Sequence, residues 1–179
     1  MITTSEHAFG EEPDAPQLHV KISEVMQEDY GLFVWPCSIV LAEYIWQQRS
    51  RFSGINVVEL GSGTALPGVV AAKLGANVTL TDDSNRPQVL ENIKRTCDLN
   101  GVECKIMGLT WGEWDLTYFD LCPQIVLGAD VLYENRSFDD LLATVKFLLQ
   151  NDPNALFVTS YQRRRYAVLI VFSHVLVLN

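Results

Sequence analysis

The chain has 179 residues, 13 of them basic and 22 acidic, so its formal net charge is −9, and 48% of its residues are hydrophobic. This fits one globular domain with its own core, and the acidic excess argues against a nucleic-acid track, which needs clustered lysine and arginine. The longest charge-free apolar stretch, residues 167–179, is shorter than the ~20 residues of a membrane-crossing helix, and the opening MITTSEHAFGEEPD lacks the basic start and apolar run of a secretory leader.

In chain order, residues 1–17 read as a mobile acidic tail with little periodic apolar content. Residues 18–34 alternate loosely and predict an entry hairpin. Trp35-Pro36 then opens a helix to residue 48, because proline suits the first helical position. From residue 55 the grammar is regular. The β-branched run 55–60 (INVVEL) predicts a strand, 66–74 a helix stopped by Gly75, and 77–81 (NVTLT) a strand that ends in Asp82-Asp83. A helix over 87–100, a strand over 103–107, a strand over 124–128, a helix over 138–150 and a strand over 155–160 follow. Strands that alternate with helices mean an α/β fold, a doubly wound and mostly parallel sheet with helices on both faces. The charge is local as well. Residues 1–30 hold seven acids and one base, and residues 113–140 hold seven acids and one base. The four cysteines form no CxxC pair and read as buried, reduced thiols of an intracellular protein.

The turn Glu59-Leu60-Gly61-Ser62-Gly63-Thr64-Ala65-Leu66 carries the most chemistry. Glycines between a strand and a helix let a ligand lie against the backbone, and the helix start offers unpaired N–H groups. A dinucleotide turn would place its third glycine at position 66, which is leucine. Glu59 opposes a pyrophosphate and suits a ligand with an ammonium group. Asp82, at the end of the next strand, is positioned to accept bonds from two ribose hydroxyls, with Asp83 as competitor. Trp111, in Thr110-Trp111-Gly112, either lies along an adenine or caps the core, and Trp35 has the same two readings. Asp130 and Tyr133, where the fourth strand runs out, either orient a second substrate or cap and pack.

Glu59–Gly68, Asp82, Trp111-Gly112 and Ala129–Tyr133 resemble the cofactor-binding motifs of class I, seven-strand S-adenosylmethionine methyltransferases. Trp35-Pro36, Leu66-Pro67-Gly68, the LTWG of 109–112 and the DxxY of Asp130–Tyr133 are similar to methyltransferase family 16, a group of small protein methyltransferases. The resemblance spans roughly residues 30–165. It implies S-adenosyl-L-methionine as cofactor, with Trp35 bordering it, Gly61, Ser62 and Gly63 cradling its methionine end, and Glu59 supporting that loop or the amino group. It implies further that Asp82 holds the ribose, Trp111 meets the adenine, Ala129 touches the cofactor by its backbone, and Asp130 and Tyr133 face the methyl acceptor. The partner implied is a basic protein substrate, methylated on lysine or arginine and in one branch a histone, with no nucleic acid, membrane or metal.

The domain expected is 18–165, followed by an atypical apolar segment, 166–179, in place of the polar helix and final hairpin of such proteins; the last strands of the sheet are expected to be incomplete or altered. That departure leaves a catalytically impaired binding module, or a truncated form, as the alternative function. A dehydrogenase is disfavoured by Leu66 and Glu59. A chain of this size is expected in the cytoplasm, the nucleus or both.

Overall fold

The computed structural model describes residues 1–10, 16–25, 30–132, 137–162 and 173–178. Strand β1 (Ile2–Phe9) pairs antiparallel with β2 (Leu18–Val25), from Ile2 opposite Val25 to Phe9 opposite Leu18. Residues 2–9, read from sequence as tail, are therefore a strand. The partner of 18–25 is the N-terminus and not residues 30–34, where a 3-10 turn (Tyr30–Leu32) stands instead. The signal in β1 is weak because Phe9 is its only buried residue; backbone pairing holds the rest. The hairpin is seated by β2. Val20 and Ile22 are buried, and Asn100 and Asn92 of a later helix bond the β2 backbone at Lys21 and Ser23.

Helix α1 (Pro36–Gln47) starts on Pro36 and buries Cys37, Leu41, Ala42, Ile45 and Trp46. There follow β3 (Asn56–Glu59), α2 (Leu66–Lys73), β4 (Asn77–Asp82), α3 (Pro87–Asn100), β5 (Lys105–Gly108), β6 (Ile125–Ala129), α4 (Phe138–Leu149), β7 (Leu156–Gln162) and β8 (Ser173–Leu178). Strands β3 to β7 are parallel in the order β5-β4-β3-β6-β7, and β8 closes one edge antiparallel to β7. The α/β doubly wound sheet expected from the alternating pattern is present. Residues 173–178 of the apolar C-terminal segment supply its edge strand.

Because side chains alternate along a strand, the sheet feeds two cores. Val57, Leu80, Leu127 and Val158 face α1, α2, α3 and the hairpin. Val58, Val126 and Phe157 face α4 and a 3-10 turn at Leu116–Asp120. Helix α2 is buried from Leu66 through Ala71, which is why its residues are apolar all round rather than on one stripe. The chain runs outward from β3 to β4 and β5, then returns to β6 on the other side of β3. That reversal opens a crevice at the carboxyl ends of β3 and β6, where ligands of such sheets bind.

The four cysteines are free. Cys37 and Cys97 are buried, Cys104 is half-buried and Cys122 is exposed, so the expectation of buried thiols holds fully for two of them. Among the described residues no helix is long and apolar enough to cross a membrane, and no group of three histidine, cysteine or acidic side chains is placed to hold a metal.

Candidate functional site

A cavity of about 650 Å³ lies in that crevice, within the usual range for small-molecule sites. Its floor is the turn from β3 to α2. Gly61 and Gly63 adopt φ of +57° and +53°, a region that glycine enters without strain. A side chain at Gly61 would meet Trp111 and Val131, and one at Gly63 would meet the Gly31 carbonyl. The turn is thus bare backbone with close neighbours on both sides. Ser62 ties it to β4: its N–H donates to the Thr81 carbonyl at 2.8 Å, and its hydroxyl donates to the Glu59 carbonyl and accepts from the Thr81 N–H at 3.1 Å. Ala65 is also left-handed, at φ +64°, a strained position for a residue with a Cβ.

Glu59 does not line the cavity. Its side chain is buried beneath the turn and accepts the Gly68 N–H at 3.0 Å. A Cβ at Gly68 would run into Leu80 and the Glu59 carboxylate, so the glycine of Leu66-Pro67-Gly68 lets α2 approach β3 closely enough for this bond. Burial pushes the Glu59 carboxyl up to about 8, against the pull of the Gly68 and Ser62 bonds. Of the two roles expected for Glu59, the geometry provides loop support.

At the end of β4 two acids divide the work. Asp82 is buried, with one carboxylate oxygen on the Gly63 N–H at 2.9 Å and the other on the Asp83 N–H at 2.9 Å. Burial raises its pKa, and those two bonds partly offset the rise. Burial works against ionisation of Asp83 too, but bonds from the Asn85 backbone, the Thr110 hydroxyl and the Asn85 side chain outweigh it and hold that carboxyl below the usual range. Both acids line the cavity. Asp83 is committed to shaping its own loop.

Beyond β5, Trp111 lines the cavity while packing against the second core. The Gly112 N–H donates to the Thr144 hydroxyl at 3.1 Å, and that hydroxyl donates to the Asp140 carbonyl at 2.9 Å. The start of α4 therefore holds the Trp111 loop. On the other wall, Trp35 lies 4.8 Å from Phe33, ring centre to ring centre. Past β6, Ala129 and Asp130 line the cavity. Asp130 has φ +54°, and its N–H donates to the Ser160 carbonyl at 2.7 Å. Tyr133 lies outside the described residues.

The cavity gathers Trp35, Gly61, Ser62, Gly63, Asp82, Trp111, Ala129 and Asp130 from five separate segments. It also includes Phe33, Ser38, Arg86 and Asp140, which sequence reasoning passed over. Arg86 had a local signal, a basic residue four positions after Asp82. Asp140 had none, because only the packing of α4 on the Trp111 loop brings it to the rim.

A family model described as "Lysine methyltransferase" matches residues 14–175. A histone-arginine methyltransferase of Xenopus laevis is 46% identical over 84% of this chain and 65% of its own length. A protein N-lysine methyltransferase of Danio rerio is 38% identical over 66% of this chain and 56% of its own length. The chain thus spans about two thirds, or somewhat less, of these relatives. Among solved structures, an S-adenosylmethionine-dependent methyltransferase from Agrobacterium tumefaciens superposes with a TM-score of 0.61, at 20% identity, over 83% of this chain and 51% of that one. At that identity the likeness speaks for the fold.

Proposed function

The chain belongs to the lysine methyltransferase family, and from that premise we propose that its cavity binds S-adenosyl-L-methionine and that the protein transfers the cofactor's methyl group to a lysine or arginine side chain of a protein, with a histone as one candidate. The observation that carries this reading is the joint at the head of the sheet. The Asp82 carboxylate grips the Gly63 N–H beneath a bare glycine turn, in a cavity that opens over the ends of both β3 and β6.

The residues fit the cofactor. Gly61, Ser62 and Gly63 leave room for its methionine end against the backbone, with Trp35 at the border and Glu59 holding the turn from below. Asp82 is positioned to accept the ribose hydroxyls, Trp111 to lie along the adenine, and Ala129 to contact the cofactor by its backbone. Bound there, S-adenosyl-L-methionine supplies a methyl group already activated by its sulfonium, so the chain's own contribution is alignment, which supplies about 7–11 kcal/mol when reacting atoms are well held. A lysine acceptor, with a reference pKa near 10.4, must shed a proton first. An arginine acceptor keeps its charge and needs carboxylates to hold its planar fork. Asp130, a buried residue of the cavity wall, is available for either need.

Calorimetric titration with S-adenosylhomocysteine tests the reading. Saturable binding that Asp82→Ala abolishes supports it; no heat from the unaltered chain overturns it. Binding without methyl transfer to any basic protein would mark the second reading, a methyltransferase-fold binding module.

A further inference from the structure

The face that carries α4 presents apolar side chains that the cavity does not use. Trp114 and Phe119 both stand edge-on to Phe147, with ring centroids 5.0 and 5.1 Å from it. Trp114 is nonetheless 53% exposed and Phe119 59%, and Leu116, in the same segment, is 85% exposed. Phe147 packs inward on the second core. Trp114 and Phe119 therefore form an apolar ledge on a firm base, with Leu116 between them in the chain. Exposed apolar side chains that stand together in this way are a mark of interaction surfaces.

Its surroundings select the partner. Glu113, Asp115 and Asp120 share the segment, and Asp139 stands at the start of α4. Across residues 113–132 and 137–150 six acids accompany one base, Lys146. A second copy of this chain would bring acid against acid, which costs affinity, whereas a basic segment would be both drawn in and held. The chain that leads into the ledge comes from the cavity, because Trp111 lines the cavity and Gly112 is tied to Thr144 of α4, while Asp120 lies toward the opposite, N-terminal ends of β3 and β4.

We propose that this ledge docks the protein substrate through a segment in which lysine or arginine alternates with bulky apolar residues, outside the side chain that is methylated. The apolar residues cover Trp114, Leu116 and Phe119, and the basic ones face Glu113, Asp115, Asp120 and Asp139. The proposal rests on the methyltransferase reading above.

Two labelled peptides of equal charge test it, one alternating lysine with leucine and phenylalanine and the other alternating lysine with serine. Each is titrated into the full chain saturated with S-adenosylhomocysteine. The apolar peptide is expected to bind about tenfold tighter or better, a margin that corresponds to ~1.4 kcal/mol. The double substitution Leu116→Ser, Phe119→Ser should erase that margin and leave S-adenosylhomocysteine affinity within about twofold. Glu113→Lys with Asp120→Lys should weaken both peptides and preserve the margin. Equal binding of the two peptides, no binding of either, or a margin that survives the serine substitutions overturns the docking surface while leaving the cofactor reading intact. A chain that self-associates through this face, and loses that association on Leu116→Ser, Phe119→Ser, overturns it in favour of a second copy. Absence of S-adenosylhomocysteine binding by the unaltered chain overturns both proposals, and the missing heat identifies that case.

Discussion

Two buried carboxylates sit at one turn, and the structure gives them different tasks. Glu59 has its folded pKa raised to about 8 from an ordinary 4.5 by burial. Between those values the folded chain holds a proton that the unfolded chain has lost, so stability falls as pH rises through that window. Burial raises Asp82 as well, so its contribution has the same sign. Thermal midpoints measured from pH 5 to pH 8 should decline, and Glu59→Gln, which keeps an acceptor for the Gly68 N–H, should flatten that decline without removing it; an unchanged slope would show that Glu59 is not held protonated. Asp82→Asn keeps the shape of the site and loses the charge. Charged hydrogen bonds are worth about 1.5–3 kcal/mol, so S-adenosylhomocysteine affinity should drop by about tenfold or more, and an unaltered affinity would refute the ribose role. The sequence placed both acids at strand ends. It could not separate their tasks, because whether a carboxyl points into a cavity or beneath a turn depends on how closely α2 lies on β3, and that distance is set by packing around Gly68.

At the scale of elements, helices and parallel strands from residue 36 onward were legible because each carries its own boundary chemistry. Pro36 and Pro87 stand at helix starts, Gly101 caps α3 in the left-handed region, and β4 ends in two acids. β1 was not legible, since its pairing is made by backbone and only Phe9 is buried. Nor was the tie between α4 and the Trp111 loop, where Thr144 reads in sequence as an ordinary helix residue. Gly68→Ala should force α2 away from Leu80 and Glu59, with overpacking costs of about 1–3 kcal/mol, visible as a lower midpoint in urea. Thr144→Val removes the acceptor of the Gly112 N–H. Cofactor affinity should fall, Thr144→Ser should restore it, and a valine variant with full affinity would show that the Trp111 loop is held by other contacts.

For the whole molecule, a net charge of −9 says little until it is placed. Among the described acids of residues 1–30, Glu6 and Glu24 stand on the hairpin, while Asp130 and Asp140 line the cavity and Glu113, Asp115 and Asp120 share the segment of the apolar ledge. The sheet joins these parts. β3 and β6 lie side by side at its centre and send their helices α2 and α4 to opposite faces, which leaves the cavity at their carboxyl ends, and residues 173–178 form β8 at the edge. The fold was therefore recoverable from local patterns, whereas the site needed the sheet order, which no single segment encodes. The most direct measurement is transfer of labelled methyl from S-adenosyl-L-methionine into basic proteins, followed by hydrolysis and identification of the labelled amino acid. Label recovered on lysine or arginine from the unaltered chain, and lost with Asp82→Ala and with Asp130→Asn, is the predicted result. Label no greater with the unaltered chain than with Asp82→Ala would contradict the account.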